Sequence, residues 1–381
     1  MKVTGIICEY NPFHLGHFKQ FSKIKEENPR SGIVCLMSGN FVQRGMPAIF
    51  DKQIRANAAV DCGADLVLEL PLTASLSSAE GFASEGVRIL GTFCDALSFG
   101  AEDANSDLLL STANALLSEE FKVYLKAFLA EGLSFPSARQ RALQEMGMQS
   151  DILAKPNNIL GVEYCKAILS QKTDMKPSAI FRGGNYHDIT ADAENPSASS
   201  VRHLMESGKE WQEFVPVAAI ENFKNATIHR IQNGEAAILY RLRTMSDAEY
   251  EALPYGSEGL WRKLMNNARE YSTLEEILAS TKSKRYTRTR LDRMVMCAFL
   301  GLSAEDLRSP APYTRVLAFN DKGRQILLNA RENGLFPNIG ERVDTPYQAL
   351  ETRSDDLYGF FVSGAPEAPG ITAKRRVYYC K

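Results

Sequence analysis

His14 and His17 stand three residues apart in the run His14-Leu15-Gly16-His17, close to the N-terminus. Two imidazoles at that spacing, with a glycine between them, can hydrogen-bond phosphate oxygens. Their position makes the chemistry specific. The preceding run, Val3-Thr4-Gly5-Ile6-Ile7-Cys8, reads as a buried strand, and Glu9-Tyr10-Asn11-Pro12-Phe13 as a turn. A helix should begin at the histidines. A strand, a tight turn and a helix N-terminus form an anion site, because unpaired backbone N–H groups and the positive end of the helix dipole face the ligand. Gly16 would let that ligand come close to the backbone. A metal site is the other chemistry two histidines suggest, and it needs more ligands nearby. Only His187, His203 and His229 remain, and the chain has no Cys-x-x-Cys pair. No protein metal site is expected.

Elements that would position this site follow in order. Gly32 to Ser38, Ala64 to Leu70 and Asp95 to Gly100 read as further strands. Asp51 to Cys62 and Ser77 to Leu90 have helical spacing between them. Near-continuous apolar strands alternating with helices predict a parallel sheet covered on both faces. Ligands bind such sheets at the carboxyl ends of the strands. That rule puts the histidine turn, Ser38-Gly39-Asn40, Pro71 and Gly100 along one rim. Residues 106–171 read as mostly helical, Ser178 to Phe181 as a fifth strand, and Arg182-Gly183-Gly184-Asn185-Tyr186 as the loop after it. The stretch 211–225 reads as a connection and 234–300 as helical. Arg315 to Asn320 reads as a strand, Gly323 to Asn333 as a helix, and the end of the chain as loop-rich. The expected architecture is α/β. A Rossmann-like N-terminal domain (1–210) precedes a mainly helical C-terminal domain (211–381).

Composition narrows the class. A chain of 381 residues allows roughly two or three domains. No run of eighteen apolar residues occurs, so no membrane span is expected. The N-terminus lacks the pattern of a signal peptide. Seven scattered cysteines, odd in number, suggest reduced thiols and a cytoplasmic protein. The net charge of −2 hides an asymmetry: residues 1–200 hold 18 Lys+Arg against 23 Asp+Glu, and the remainder 26 against 23. The C-terminal part is the better partner for a polyanion.

Other segments carry possible chemistry. Gly39 to Gly45 follows a strand and is either a ligand rim or a surface loop. Gly100 could let a base or ribose lie against the backbone. Gln20 is placed to share a face with His17. Asn157 and Asn158 either cap a helix or read a nucleotide's polar edge. Arg182 could bind phosphate with its fork of donors, or form an ordinary ion pair. Pro196-Ser197-Ala198-Ser199-Ser200-Val201-Arg202 places hydroxyls before a helix and an Arg in its first turn, so that Ser199 and Ser200 could meet phosphates opposite the histidines. Thr281 to Arg293 carries Lys282, Lys284, Arg285, Arg288, Arg290 and Arg293, six cations in thirteen positions, leading into an apolar helix. Phosphate contacts of that number would make nucleic-acid affinity fall steeply with salt.

The histidine run resembles the HxGH signature of the nucleotidyltransferase superfamily, whose members attack the α-phosphate of ATP, and the serine segment resembles that superfamily's SSTxIR-like element. Together with Glu9 to His17, Met37 to Ala48, Leu68-Glu69-Leu70-Pro71, Pro156 to Gly161 and Lys284-Arg285-Tyr286-Thr287-Arg288, the chain resembles the bacterial tRNA(Met) cytidine acetate ligase family. The resemblance implies activation of acetate by ATP, with Mg²⁺, and transfer of acetyl to the wobble cytidine of elongator tRNA(Met). It implies an ATP site comprising Ile7, Cys8, Glu9, Tyr10, Asn11, Pro12, Phe13, His14, Leu15, Gly16, His17, Phe18, Lys19 and Gln20, with Gly100, Asn157 and Arg182. His14 and His17 would be catalytic, and the basic run would bind tRNA. Two competing readings are a small-molecule adenylyltransferase and an RNA-binding protein with a degenerate nucleotide pocket.

Overall fold

The computed structural model describes residues 1–182, 192, 196–283 and 285–381. Its centre is a seven-stranded sheet. The strands are β1 (Val3–Cys8), β2 (Gly32–Ser38), β5 (Leu66–Leu70), β6 (Ala96–Ala101), β7 (Lys176–Phe181), β8 (Val316–Phe319) and β9 (Tyr378–Tyr379); β3 (Phe41–Val42) and β4 (Met46–Pro47) form a separate small hairpin. The order across the sheet is β7-β6-β1-β2-β5-β8-β9. The first five in that order run parallel, and β8 joins β5 antiparallel. The chain leaves β1 toward β2 and β5, then returns to the opposite side of β1 with β6. The crevice of the sheet therefore opens between the carboxyl ends of β1 and β6.

All residues of β1, β2 and β5 are buried, as strands covered on both faces require. Their side chains alternate. Ile7, Val34, Leu36, Leu66 and Leu68 join one core with the helices Ala79–Leu90 and Pro156–Gln171. Ile6, Ile33, Cys35 and Val67 join the opposite core, with α1 (Leu15–Glu27) and α2 (Lys52–Asp61). A third core lies among the helices between residues 235 and 300, and Phe41 of the hairpin is buried in it. No described helix is long and apolar enough to cross a membrane.

Three expectations change. The sheet does not end with residues 1–210, because β8 and β9 extend it from the far end of the chain. The stretch 211–225 is more than a connection. Val217–Lys224 is a helix packed on α2, with Phe223 stacked on Phe50 at 5.0 Å. A helix not expected from the sequence, Pro346–Tyr358, precedes the loop-rich end around Pro366 to Gly370, and its buried face holds Glu351, Ser354 and Tyr358. That face is held by charge. Lys52 Nζ reaches Glu69 and Asp355, each at 2.8 Å, and Arg315 Nε reaches Glu351 at 3.0 Å. Burial pulls the Lys52 ammonium down, but the Asp355 and Glu69 carboxylates overcome this and hold it above its usual value.

Lys52→Met should leave two carboxylates buried without their cation, at a cost of about 3–5 kcal/mol. A urea titration would show the midpoint falling sharply. An unchanged midpoint would mean that this ion cluster does not hold the C-terminal helix to the sheet.

Candidate functional site

The turn after β1 is built by hydrogen bonds to its own polar atoms. Glu9 Oε1 accepts the N–H of Gln43 at 2.8 Å, and Asn11 Oδ1 accepts that of Ile49 at 2.7 Å. Tyr10 sits in the left-handed backbone region at φ +44°, which costs a non-glycine residue about 1–2 kcal/mol. Arg55, fully buried, donates to the carbonyls of Glu9, Gly39 and Phe50. These bonds fix where α1 begins.

His14 caps α1. Its Nδ1 accepts the N–H of Gly16 at 3.1 Å, and Nδ1 of His17 accepts the N–H of His14 at 3.2 Å. With each Nδ1 used as an acceptor, the neutral ring carries its proton on Nε2. The two rings lie 3.8 Å apart, with Tyr10 and Phe13 behind His17. His14 is 1% exposed, and its buried Nε2 has no hydrogen-bond partner among the described residues. Burial, reinforced by Arg182 and Arg202, pushes His14 down to about 3. Loss of water, then His14 and Arg182, lower His17 well below its usual value. The pair consists of neutral N–H donors, while the positive charge beside it is on arginine.

A Cβ on Gly16 would stand 2.9 Å from the His14 ring. The absence of a Cβ thus makes room for the capping ring, and Gly16 still lines a cavity. Pro12, Phe13, Leu15 and Phe18 line none of the cavities described here. Phe13 is buried in the core, and Phe18 is 40% exposed. Cys8 is also core: burial, then Cys35, push its thiol up.

A cavity of about 280 Å³ opens at the crevice between β1 and β6, lined by Ile7, Cys8, Glu9, Tyr10, Asn11, His17, Gln20, Gly100, Asn157 and Arg182. An adjoining cavity of about 420 Å³ is lined by His14, Gly16, His17, Lys19, Gln20, Gly100 and Arg182. Gln20 donates to Ser98 Oγ at 3.2 Å. Asn157 donates to Glu102 through both its backbone N–H (3.2 Å) and Nδ2 (2.8 Å), so Glu102, and not an asparagine, caps that helix.

Opposite α1, the helix Ala198–Glu206 points its N-terminus at the same place. Ser197 is its cap, and Ser200 is the reciprocal partner, with Ser200 N–H to Ser197 Oγ at 3.0 Å and Ser197 N–H to Ser200 Oγ at 3.2 Å. Ser200 is buried and serves the helix, so it does not offer its hydroxyl to phosphate as expected. Ser199 lines a third cavity and accepts from Arg202 Nη2 at 3.1 Å. Arg202 Nη1 also donates to the carbonyl of Asn11 at 2.6 Å, which joins the two helix N-termini.

The basic run divides. Lys282 is exposed, and Arg285 is 70% exposed beside Glu258. Arg288 is paired with Glu275 and Asp292, which raise its pKa. Arg290 donates to the carbonyl of Tyr255 at 2.7 Å. Arg293 lies over the Tyr255 ring at 5.0 Å and donates to the carbonyl of Gln43 at 3.4 Å. Arg288, Arg290 and Arg293 are therefore held by contacts within the protein. Lys284, Gly183 to Tyr186 and His187 lie outside the described residues. Sequence reasoning had Arg44 only as part of the Gly39 to Gly45 segment and did not single out Arg230 or His229 for a ligand site, because no motif surrounds those two; all three line the third cavity.

Nitrogen NMR of the ligand-free protein should show His14 and His17 as neutral Nε2–H tautomers from pH 8 down to pH 5. The unfolded chain takes up a proton near pH 6.5 that the folded His14 refuses until about pH 3. The His14 contribution to stability is thus present above pH 6.5 and is lost progressively as pH falls toward 3. Protonated Nδ1 at pH 7 would refute the capping geometry as the source of the tautomer.

The chain matches the family model described as HIGH Nucleotidyl Transferase over residues 1–368. It is 39% identical over 380 residues to the tRNA(Met) cytidine acetate ligase of Clostridium novyi, covering 94% of this chain and 95% of the relative. It is 37% identical to that of Clostridium acetobutylicum, covering 92% of each. Among solved structures it is similar to Thermotoga maritima TmcAL bound with alpha-thio ATP, with a TM-score of 0.87 and 28% identity over 100% of this chain and 99% of the other. The chain belongs to the tRNA(Met) cytidine acetate ligase family of HIGH nucleotidyltransferases.

Proposed function

We propose that this protein uses ATP to activate acetate as acetyl-adenylate and then acetylates the exocyclic amine of the wobble cytidine of elongator tRNA(Met). The observation that carries the reading is the buried histidine pair at the start of α1, with one Nε2 donor unsatisfied, facing Arg182 and Arg202. Acetate attacks the α-phosphorus. An O–P bond forms, the α,β-phosphoanhydride breaks, and pyrophosphate leaves. Negative charge builds on the α-phosphoryl oxygens in the transition state. Preorganised donors aimed at that charge lower the barrier, because they need no rearrangement at the moment of reaction. His14 and His17 supply neutral N–H donors, α1 supplies its dipole, and Arg182 and Arg202 supply charge. The ATP site of this reading comprises Ile7 to Asn11, His14, Gly16, His17, Lys19 and Gln20, with Gly100, Asn157, Arg182 and Ser199.

Among the described residues no group of three His, Cys, Asp or Glu could hold a metal ion. In this reading Mg²⁺ would come with the triphosphate and neutralise the leaving pyrophosphate. The acyl-phosphate anhydride is already activated, so transfer requires no protein nucleophile. The tRNA meets the C-terminal part, residues 211–381, and an anticodon-loop cytidine can be turned out without melting a duplex. Since tRNA and ATP are its substrates, the reaction belongs in the cytoplasm.

Wild-type protein should move labelled acetate into tRNA with ATP, and His17→Ala should lower the rate at least about a hundredfold, as loss of one preorganised donor does elsewhere. Equal labelling by the variant would remove the histidines from the chemistry. Lys282→Glu with Arg285→Glu should weaken tRNA binding and flatten the log–log salt slope by about 1.5–2. Unchanged affinity and slope in filter binding would exclude this surface.

A further inference from the structure

The third cavity, of about 290 Å³, shares Glu9, Asn11, Arg44, Arg182 and Ala198 with the crevice at β1 and β6. The two spaces therefore adjoin across a common wall. We propose that the third cavity seats the acceptor cytidine and that Glu9 takes the proton from its exocyclic amine. The inference rests on the acetyl-adenylate reading above and adds the acceptor site and the proton acceptor to it.

Three observations support it. First, Glu9 has a carboxylate oriented from the protein side. Oε1 holds the Gln43 N–H, which fixes the group on the wall and leaves Oε2 without a hydrogen-bond partner among the described residues. A cytosine amine is a donor, and carboxylates are its natural acceptors. Second, the cavity has the two surfaces a nucleotide needs. Met46, Pro47 and Ile49 give an apolar wall for a base, while Arg44 and Arg230 give charge for its phosphate. Third, the floor is the Arg202 link between the two helix N-termini, so an acceptor there lies beside the reacting phosphate group.

In the step itself, the amine nitrogen attacks the acetyl carbonyl carbon. A C–N bond forms, the carbonyl carbon–oxygen bond to AMP breaks, and AMP leaves as its anion. The nitrogen proton passes to Glu9 Oε2 and then to solvent. A cytosine amine is a poor nucleophile because its lone pair is drawn into the ring. An acceptor for its proton and a fixed approach are what this protein can add. Hydroxylamine needs neither, since its lone pair is available and it is small enough to reach the adenylate without a shaped pocket.

The test follows that contrast. Full-length protein is given ATP, labelled acetate, tRNA(Met) and hydroxylamine together, and the label is divided between tRNA and acetohydroxamate. Glu9→Gln, which keeps an oxygen for Gln43, should shift the division toward hydroxamate by about a hundredfold or more. Arg230→Met should raise the KM for tRNA about tenfold more than the KM for ATP. A division unchanged in Glu9→Gln, or loss of both products together, overturns the role of Glu9. An Arg230→Met effect confined to ATP overturns the acceptor cavity. Wild type that yields neither product overturns the acetyl-adenylate reading instead.

Discussion

The site depends on a single buried guanidinium. Arg55 comes from α2 and ends between the two central strands, where it donates to the carbonyls of Glu9 and Gly39 and to Phe50 at the head of its own helix. Parallel strands leave their last carbonyls without partners, and a buried unpaired carbonyl costs about 1–3 kcal/mol. A guanidinium with five donors can satisfy several at once, and lysine could not span them. By drawing the ends of β1 and β2 together, Arg55 sets the turn that aims Glu9 and Asn11. It thereby sets the point at which α1 starts. The histidine pair inherits its position from that point.

Given this position, the division of labour between neutral and charged donors follows from burial. A histidine cation would have to lose its water beside Arg182 and Arg202, so the rings stay neutral. Each ring then has one N–H and one acceptor. The cap uses both acceptors, and the N–H groups are the donors that remain for a ligand. A single arrangement thus makes a helix terminus and an anion site. Gly16 serves the first of these by making room for the His14 ring.

Parts of this were legible in the sequence and parts were not, for physical reasons. Strands β1, β2 and β5 are buried on both faces, so their apolar runs are continuous and easily read. His14, Gly16 and His17 are local, and local spacing is what a sequence displays. The helix Pro346–Tyr358 was missed because its buried face is Glu351, Ser354 and Tyr358, held by ions from distant segments. No apolar stripe announces such a helix. The basic run is the opposite case. Its charges are plain in the sequence, but Glu275 and the Tyr255 carbonyl, which occupy Arg288 and Arg290, are remote along the chain. Ser200 was read as a phosphate ligand when its spacing from Ser197 is that of a capping box.

The β3–β4 hairpin connects the helical part of the chain to the end of β1. Gly45 has φ +76°, and a Cβ there would stand 2.4 Å from the backbone nitrogen of Arg293. Hairpin and helix therefore meet backbone to backbone, where only glycine fits. Arg293 closes the contact onto the Gln43 carbonyl, while the Gln43 N–H holds Glu9. A short chain of contacts thus runs from the helix that carries the basic residues, through one hairpin, to a carboxylate at the end of β1. One link is a close backbone approach, and the other two are hydrogen bonds between a side chain and the backbone. On this geometry, the helix that carries Arg293 and the carboxylate at the end of β1 are held by the same hairpin.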